Sequence, residues 1–463
     1  MFHDSSLGVA HARGEWAGRF IDRTAHPGEL SPGSNHPRRR QWRPNLRIRP
    51  SARPTSGSQK SQLGSAGVRP MSRSASAGSN EVVRSLWMKC HGAATGMVEV
   101  RGMVIGTGWA GEGYATALRR SGVDVVALCG RSPEPARAVG ARLGIDDVRL
   151  DWRAALDELE PDVVAITTPA GPHREMVEHA ARRGAHVVCE KPLGRSGPEA
   201  RRMLDAVEGA GVRHAYGGTS RYTPGLVKAR DLVIEDAIGE LREIEVVVHM
   251  NLPPLLPYCW VHSLEAGGGM LMNGMPHGLV QAEYVSGGKA VWAIGHTDVV
   301  VDRVPVGPPV HDFRLWTPID PDEAAHGPWR ENDADMTATA VIGIELPGGR
   351  MITALFHLAA FTATRHVGYL AVHGTKGSIQ LDDAPWFSRM SYRSAASDQW
   401  TEVPFTAEEN PIQSGWDHLI KDFAADINGH RTGSYPTFTD GWRANELMDQ
   451  VRASRPTAAH QPA

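Results

Sequence analysis

The stretch Ala185 to Gly194, AHVVCEKPLG, ends an apolar run in an acid, a base and a proline. A strand that ends in Glu190-Lys191-Pro192 can place a titratable group where something binds, and a lysine's pKa, about 10.4 when free, is lowered by desolvation or a nearby cation. Successive side chains of an extended segment point oppositely, so Glu190 and Lys191 need not neutralise each other. One can face packed helices while the other faces a cleft. The plain alternative is a strand exit with solvated charges.

A second chemical signal lies upstream. Gly106, Gly108 and Gly111 form G-x-G-x-x-G directly after the apolar Met103-Val104-Ile105. The first glycine permits a tight turn, the second a close approach by a pyrophosphate, the third close helix–strand packing. The anion then lies on a helix N-terminus, where free N–H groups and the dipole favour it. The next strand, Val123 to Gly130, lacks at its end the carboxylate that would read a ribose 2′-hydroxyl. Gly130, Arg131 and Ser132 stand there instead, which suits a 2′-phosphate and tilts the expected cofactor from NAD towards NADP. A solvated loop charge is the alternative for Arg131.

These residues need a scaffold. The apolar strand Val163 to Thr167 runs into a loop holding Thr168, Pro169 and His173, and a helix then leads to AHVVCEKPLG. A further helix, about Pro198 to Gly209, leads to a short strand, Arg213 to Tyr216. Short apolar strands alternating with helices predict an α/β fold with a doubly wound parallel sheet. In such sheets ligands lie beyond the carboxyl ends of the strands. The glycine turn, the Thr168–His173 loop and Glu190-Lys191-Pro192 should therefore line one edge. After Gly218 the strand-like segments lengthen and several are joined by Gly-rich turns, as antiparallel pairing permits.

Composition sets the outer limits. A chain of 463 residues predicts two domains or more. Residues 1–96 hold 15 Lys and Arg against 5 Asp and Glu, a balance of +10; the remainder holds 34 against 47, a balance of −13. The basic segment lacks interleaved aromatics and any DNA-binding motif, so no nucleic-acid partner is expected. It is rich in Ser, Arg, Pro and Gly, and is read as a disordered extension or an over-extended start. The expected limits are then 97–217 for a dinucleotide-binding domain, 218–455 for a substrate and oligomerisation domain, and 456–463 for a tail. Four scattered cysteines exclude a disulfide framework and fit a reducing cytoplasm. No apolar run reaches the roughly 18 residues of a membrane span. No H-E-x-x-H or comparable cluster appears, so no metal is expected.

CEKPL behind a G-x-G-x-x-G domain, with TTPAGPH, TSRYTP, AGGGMLMNGMPH and HGTKGSIQLD in order, resembles the Gfo/Idh/MocA family of nicotinamide-dependent oxidoreductases. The resemblance covers about Met97 to Ser454. It implies a Rossmann domain followed by a C-terminal α/β domain on a large, mostly antiparallel sheet. One face of that sheet would serve a homodimer or homotetramer. It implies that Lys191 is catalytic. The family's G-G-G-x-L-x-D-x-G-x-H, laid over Gly267 onward, puts Asn273 at the aspartate, Met275 at the glycine and His277 at the acid/base histidine. Val280 stands where an acid is often found. A bulky Met275 is expected to reshape the pocket floor.

The implied activity is hydride transfer between a nicotinamide and a hydroxyl carbon of a sugar, cyclitol or related polyol. Rival readings are glycoside cleavage through transient oxidation, and dinucleotide sensing without catalysis. Histidine, with a free pKa of about 6.5, is the easier base near neutrality. His277 is therefore the expected proton acceptor and Lys191 the group that polarises the oxygen, with exchange of the two roles left open. Asn273 would orient the substrate or Lys191, and Arg221, Tyr222 and His173 are further candidates for holding hydroxyls. Expected dinucleotide contacts are Gly106, Gly108, Trp109, Ala110, Gly111, Arg131, Ser132, Thr168, Pro169, His173, Glu190 and Lys191.

Overall fold

The computed structural model describes residues 100–253, 255–310, 317–364, 367–430 and 435–454. The expectations for residues 1–96 and 456–463 lie outside the described residues.

The first half alternates strands and helices. β1 (Arg101–Ile105), α1 (Trp109–Arg120), β2 (Asp124–Cys129), α2 (Pro133–Leu143), β3 (Val148–Arg149), α3 (Trp152–Leu159) and β4 (Val163–Ile166) lead to α4 (His173–Arg182). β5 (His186–Cys189), α5 (Gly197–Ala210) and β6 (His214–Tyr216) complete it. The sheet is all parallel, in the order β3-β2-β1-β4-β5-β6. Strand order reverses between β1 and β4, which is where such a fold opens a crevice.

Period-two alternation divides the apolar side chains between two faces. Met103 and Ile105 join Met176, Val177, Met203 and Val207 from α4 and α5 on one side. Val104 joins Tyr114 and Leu118 from α1 and Val139 from α2 on the other. Both faces are covered, which explains why these strands read as nearly unbroken apolar runs. Helix ends follow their sequence signals. Asp151 accepts from the N–H groups of Arg153 and Ala154, and Gly144 and Gly211 close α2 and α5 in the left-handed conformation.

The second half contains α6 (Pro224–Ile234), β7 (Leu241–His249), α7 (Met270–Ser286), β8 (Lys289–Asp298) and the small pair β9 (Arg303–Pro305) and β10 (Trp329–Glu331), with α8 (Pro321–His326) between. β11 (Thr337–Glu345), β12 (Met351–Ala359), β13 (Gly368–Gly374), β14 (Gly377–Asp382), β15 (Arg389–Ser394) and β16 (Thr401–Glu402) follow. Eight strands form one sheet, β16-β15-β14-β13-β7-β12-β11-β8, antiparallel except for the β7–β12 pair. One face packs on α7 through Ile244, Val246, Phe356 and Leu358. The other exposes Trp292, Ile294, Met351 and Leu355.

The chain then returns to the first half. α9 (Pro411–Ile427) sends Trp416, Leu419, Ile420 and Phe423 into the core around α1. α10 (Phe438–Ala453) puts Phe438 into the core of the first sheet and Leu447, Met448 and Val451 into that of the second. Its Asn445, 1% exposed, clamps Gly194 from both sides: Nδ2 donates to the Gly194 carbonyl at 2.7 Å, and Oδ1 accepts from its N–H at 3.2 Å. Asp449 accepts from the Gly197 N–H at 2.7 Å. Helices at the end of the chain thus brace the first domain, which a single cut at residue 217 does not convey.

Candidate functional site

Backbone pairing continues past the strand ends and brings the expected residues into one row. Gly106 N–H donates to Cys129 O, Thr167 N–H to Ile105 O, and Glu190 N–H to Ile166 O, at 2.8, 2.8 and 2.9 Å. The glycine turn, the Thr168 loop and the Glu190-Lys191 exit therefore lie side by side.

The glycine turn fits a dinucleotide. Gly106 has φ +124°, a region that side chains avoid, and a Cβ there would overlap Thr167. A Cβ on Gly111 would overlap the Gly106 carbonyl. Gly108 is the N-cap of α1 and carries no capping side chain, which leaves the first N–H groups of the helix for an anion. Trp109 and Ala110 open that helix and are partly exposed. Arg131 is exposed beyond β2, and Ser132 is the N-cap of α2, with no side-chain capping bond. Thr168 and Pro169 are partly exposed.

Glu190 and Lys191 do face different ways. Glu190, 8% exposed, lies inward, where Trp416 Nε1 donates to Oε1 at 3.5 Å and the Lys191 N–H to Oε2 at 3.0 Å. Tyr114 is buried beside it. Burial pushes the Glu190 carboxyl above its ordinary pKa, against the pull of the Lys191 charge. Both of its oxygens thus accept hydrogen bonds from within the protein. Burial pushes the Lys191 amine below the usual lysine range, and Glu190 only partly opposes this.

His173 is also turned inward. The ring is fully buried. Nε2 lies 2.8 Å from Thr168 O, and Nδ1 lies 3.1 Å from Leu193 O and 3.3 Å from Cys189 Sγ. Burial keeps the ring neutral, with its pKa lowered, so one nitrogen carries hydrogen. Whichever nitrogen carries it has a backbone carbonyl as acceptor, Thr168 O for Nε2 or Leu193 O for Nδ1. The histidine braces the loop and offers no atom to a ligand.

The C-terminal half supplies the opposing wall. Its triple glycine docks on the Thr168 loop: a Cβ on Gly267, at φ +85°, would meet Ala170 Cβ at 2.6 Å. Gly171 N–H donates to Ala266 O at 3.3 Å. Asp335 caps the helix that follows, accepting from Leu271 N–H at 2.7 Å. A Cβ on Gly278 would meet Phe356 at 2.5 Å, so α7 lies close against the sheet along its glycines. Asn273 and His277, one turn apart and partly exposed, share another face. Met275 is fully buried in the sheet core, so it shapes no pocket floor. The register that puts His277 on the cleft turns Met275 inward.

His277 lies close enough to Lys191 that the amine's charge pushes its pKa down, in addition to the larger effect of burial, to well below the usual histidine range. Its Nδ1 is buried and has no hydrogen-bond partner among the described residues. Asn273 spends Nδ2 on Gly269 O at 2.8 Å, which leaves its amide oxygen to offer. Ser220 Oγ donates to His277 O at 3.3 Å. Arg221 lies over the Tyr222 and Tyr284 rings, 5.6 and 4.8 Å from their centroids, and the buried Tyr222 hydroxyl has no partner among the described residues. Among the described residues no cluster of three or more His, Cys, Asp or Glu is placed to hold a metal ion.

Sequence reasoning missed two residues. Trp416 touches Trp109 edge-on at 5.1 Å, lies 5.8 Å from Tyr114 and holds Glu190. Trp386 meets the His277 ring at 5.5 Å and 67°. Neither sits in a motif. The only sequence signal was a tryptophan beside a proline in a short inter-strand loop, and a tryptophan on an amphipathic helix.

Comparison with known proteins agrees with this architecture. Residues 100–217 match a family model described as an oxidoreductase family with an NAD-binding Rossmann fold, and residues 226–380 match the GFO/IDH/MocA C-terminal domain. Levoglucosan dehydrogenase of Pseudarthrobacter phenanthrenivorans is 33% identical over 159 residues, covering 34% of this chain and 41% of that protein. D-apiose dehydrogenase of Paraburkholderia graminis is 34% identical over 140 residues, covering 30% and 37%. The matched stretches thus span well under two thirds of these relatives. A solved levoglucosan dehydrogenase in complex with NADH and L-sorbose has a TM-score of 0.64 and 23% identity, covering 77% of this chain and 96% of that one; this likeness is one of fold. With both halves matched in order, and with the strand order and sheet composition the resemblance implied, the chain belongs to the Gfo/Idh/MocA oxidoreductase family.

Proposed function

We propose that the protein uses NADP or NAD to interconvert a secondary alcohol and a carbonyl in a sugar, cyclitol or related polyol. The observation that carries this reading is the meeting of Lys191 and His277 beside the glycine turn. Gly106, Gly108, Trp109, Ala110 and Gly111 would hold the dinucleotide, with Thr168 and Pro169 at its side. When bound, the nicotinamide takes up the hydride that leaves the alcohol carbon.

The chain's own part is the proton. An imidazolium at His277 would stand beside a second cation, with a buried Nδ1 that has no partner among the described residues and with Asn273 in place of a carboxylate. Lys191 is shifted towards neutrality instead, where a general base works best. The two roles set out from the sequence are therefore exchanged: Lys191 accepts the proton, and His277 stays neutral and hydrogen-bonds the substrate oxygen. Asn273 offers its amide oxygen to the substrate, and Arg221 and Tyr222 are reserve contacts for its outer hydroxyls.

Arg131, exposed where a carboxylate would read the 2′-hydroxyl, supports NADP over NAD. The exposed apolar face of the large sheet supports a homodimer or homotetramer. The free, buried Cys129, Cys189 and Cys259 suit a reducing compartment such as the cytoplasm. The test is a fluorescence titration with NADH and NADPH, then a panel of sugars and polyols followed by the absorbance of reduced nicotinamide. Tighter binding of NADPH and turnover of at least one polyol are expected. Failure to bind either dinucleotide would overturn the reading.

A further inference from the structure

We propose that Trp386 is the platform on which the substrate's carbon skeleton rests, and that it makes the site favour a ring-shaped polyol over an open-chain one; this rests on the polyol dehydrogenase reading above. The indole lies against the His277 ring at 5.5 Å yet remains partly exposed. Its loop is built to hold it there. Ala384 and Phe387, on either side of the Pro385–Trp386 pair, are 5% and 4% exposed and belong to the sheet core. The N–H groups of Trp386 and Phe387 donate to Asp383 O at 3.2 and 3.0 Å, and Asp383 N–H donates to Gly368 O at 2.9 Å. Gln281, fully buried one turn beyond His277 on α7, donates to Pro385 O at 2.7 Å and ties the loop to the helix that carries the histidine.

An aromatic face carries partial negative charge and attracts the weakly positive hydrogens of C–H bonds. A saturated ring presents several such bonds on one side in a fixed shape. An open chain must first freeze its torsions to present the same surface. A rigid indole beside the group that binds the reacting oxygen therefore selects for ring shape.

The test uses the full-length, dinucleotide-loaded protein and two sets of probes: levoglucosan and myo-inositol as rings, D-sorbitol and D-mannitol as open chains. Wild type is expected to favour the rings in kcat/KM. Trp386→Ala should raise KM for the rings by about 10-fold or more, with kcat changed less than KM and a smaller loss for the open chains. Trp386→Phe should recover part of the loss, and Trp386→Leu, which keeps apolar bulk without a π face, should not. Circular dichroism checks that each variant folds. Equal losses for both probe sets, or a fall in kcat with a displaced pH profile, would make Trp386 a prop for His277 and overturn the platform. Turnover in wild type that is indifferent to Trp386→Ala would overturn the platform alone. A wild type that binds NADH or NADPH but does not turn over the rings would overturn the platform alone, and one that binds neither dinucleotide would remove the dehydrogenase reading and the platform with it.

Discussion

At Lys191 the chemistry depends on where one proton can go. A lysine lowered by burial is active when it has lost its proton, so kcat/KM should rise with pH and level off below the free value of about 10.4. Lys191→Ala should remove that limb and lower kcat by at least about 100-fold. Dinucleotide affinity, read by fluorescence, should change far less, and an unchanged turnover would take the lysine out of proton transfer. Asn273→Asp tests the neighbouring helix face. A carboxylate one turn from His277 favours the protonated forms of both bases, so the limb should move to higher pH. A profile that stays in place would place Asn273 outside the site.

Helices and strands decide whether these side chains meet. Gly111→Ala drives a methyl group into the Gly106 carbonyl. Dinucleotide binding should be lost even where the protein still folds, which titration against wild type measures. Trp416→Ala empties a site that is 4% exposed between α1 and α9. The cost should be about 3–5 kcal/mol in chemical denaturation, with weakened dinucleotide binding because Trp109 and Glu190 both lose a neighbour. The parallel strands, the glycine turn and the opposed Glu190 and Lys191 were legible because each follows from local periodicity or a short spacing. Trp416 was not: it reaches Glu190 across 226 positions, and only tertiary packing brings them together. The inward turn of His173 was hidden for a related reason. A histidine after a strand-end loop looks the same in sequence whether its nitrogens meet a ligand or a carbonyl. Met275 was misread because alignment to a motif does not say which side of a helix faces the cleft.

The whole molecule should be acid-sensitive in a specific window. Burial holds His214 and His262 at about 4, below the ordinary 6.5. Their neutral rings stabilise the fold fully above about pH 6.5. Below that the unfolded chain takes up protons that the folded one refuses until about pH 4, so stability falls as pH drops through this range. The melting temperature should decline across it, and His214→Gln should flatten the decline. If the proposed oligomer forms through the open sheet face, wild type should run at a multiple of 50.1 kDa by light scattering and Ile294→Lys with Leu355→Lys near 50.1 kDa; a wild type already near 50.1 kDa would remove the oligomer, and a variant that keeps the larger mass would remove this face as its interface.

The Asn445 clamp on Gly194 carries a consequence for how the protein is made. The two residues stand 251 positions apart. At roughly 5–20 residues per second of synthesis, the loop after Lys191 waits on the order of ten seconds to a minute for its second half. Until Asn445 has been made, the loop that follows Lys191 lacks this clamp.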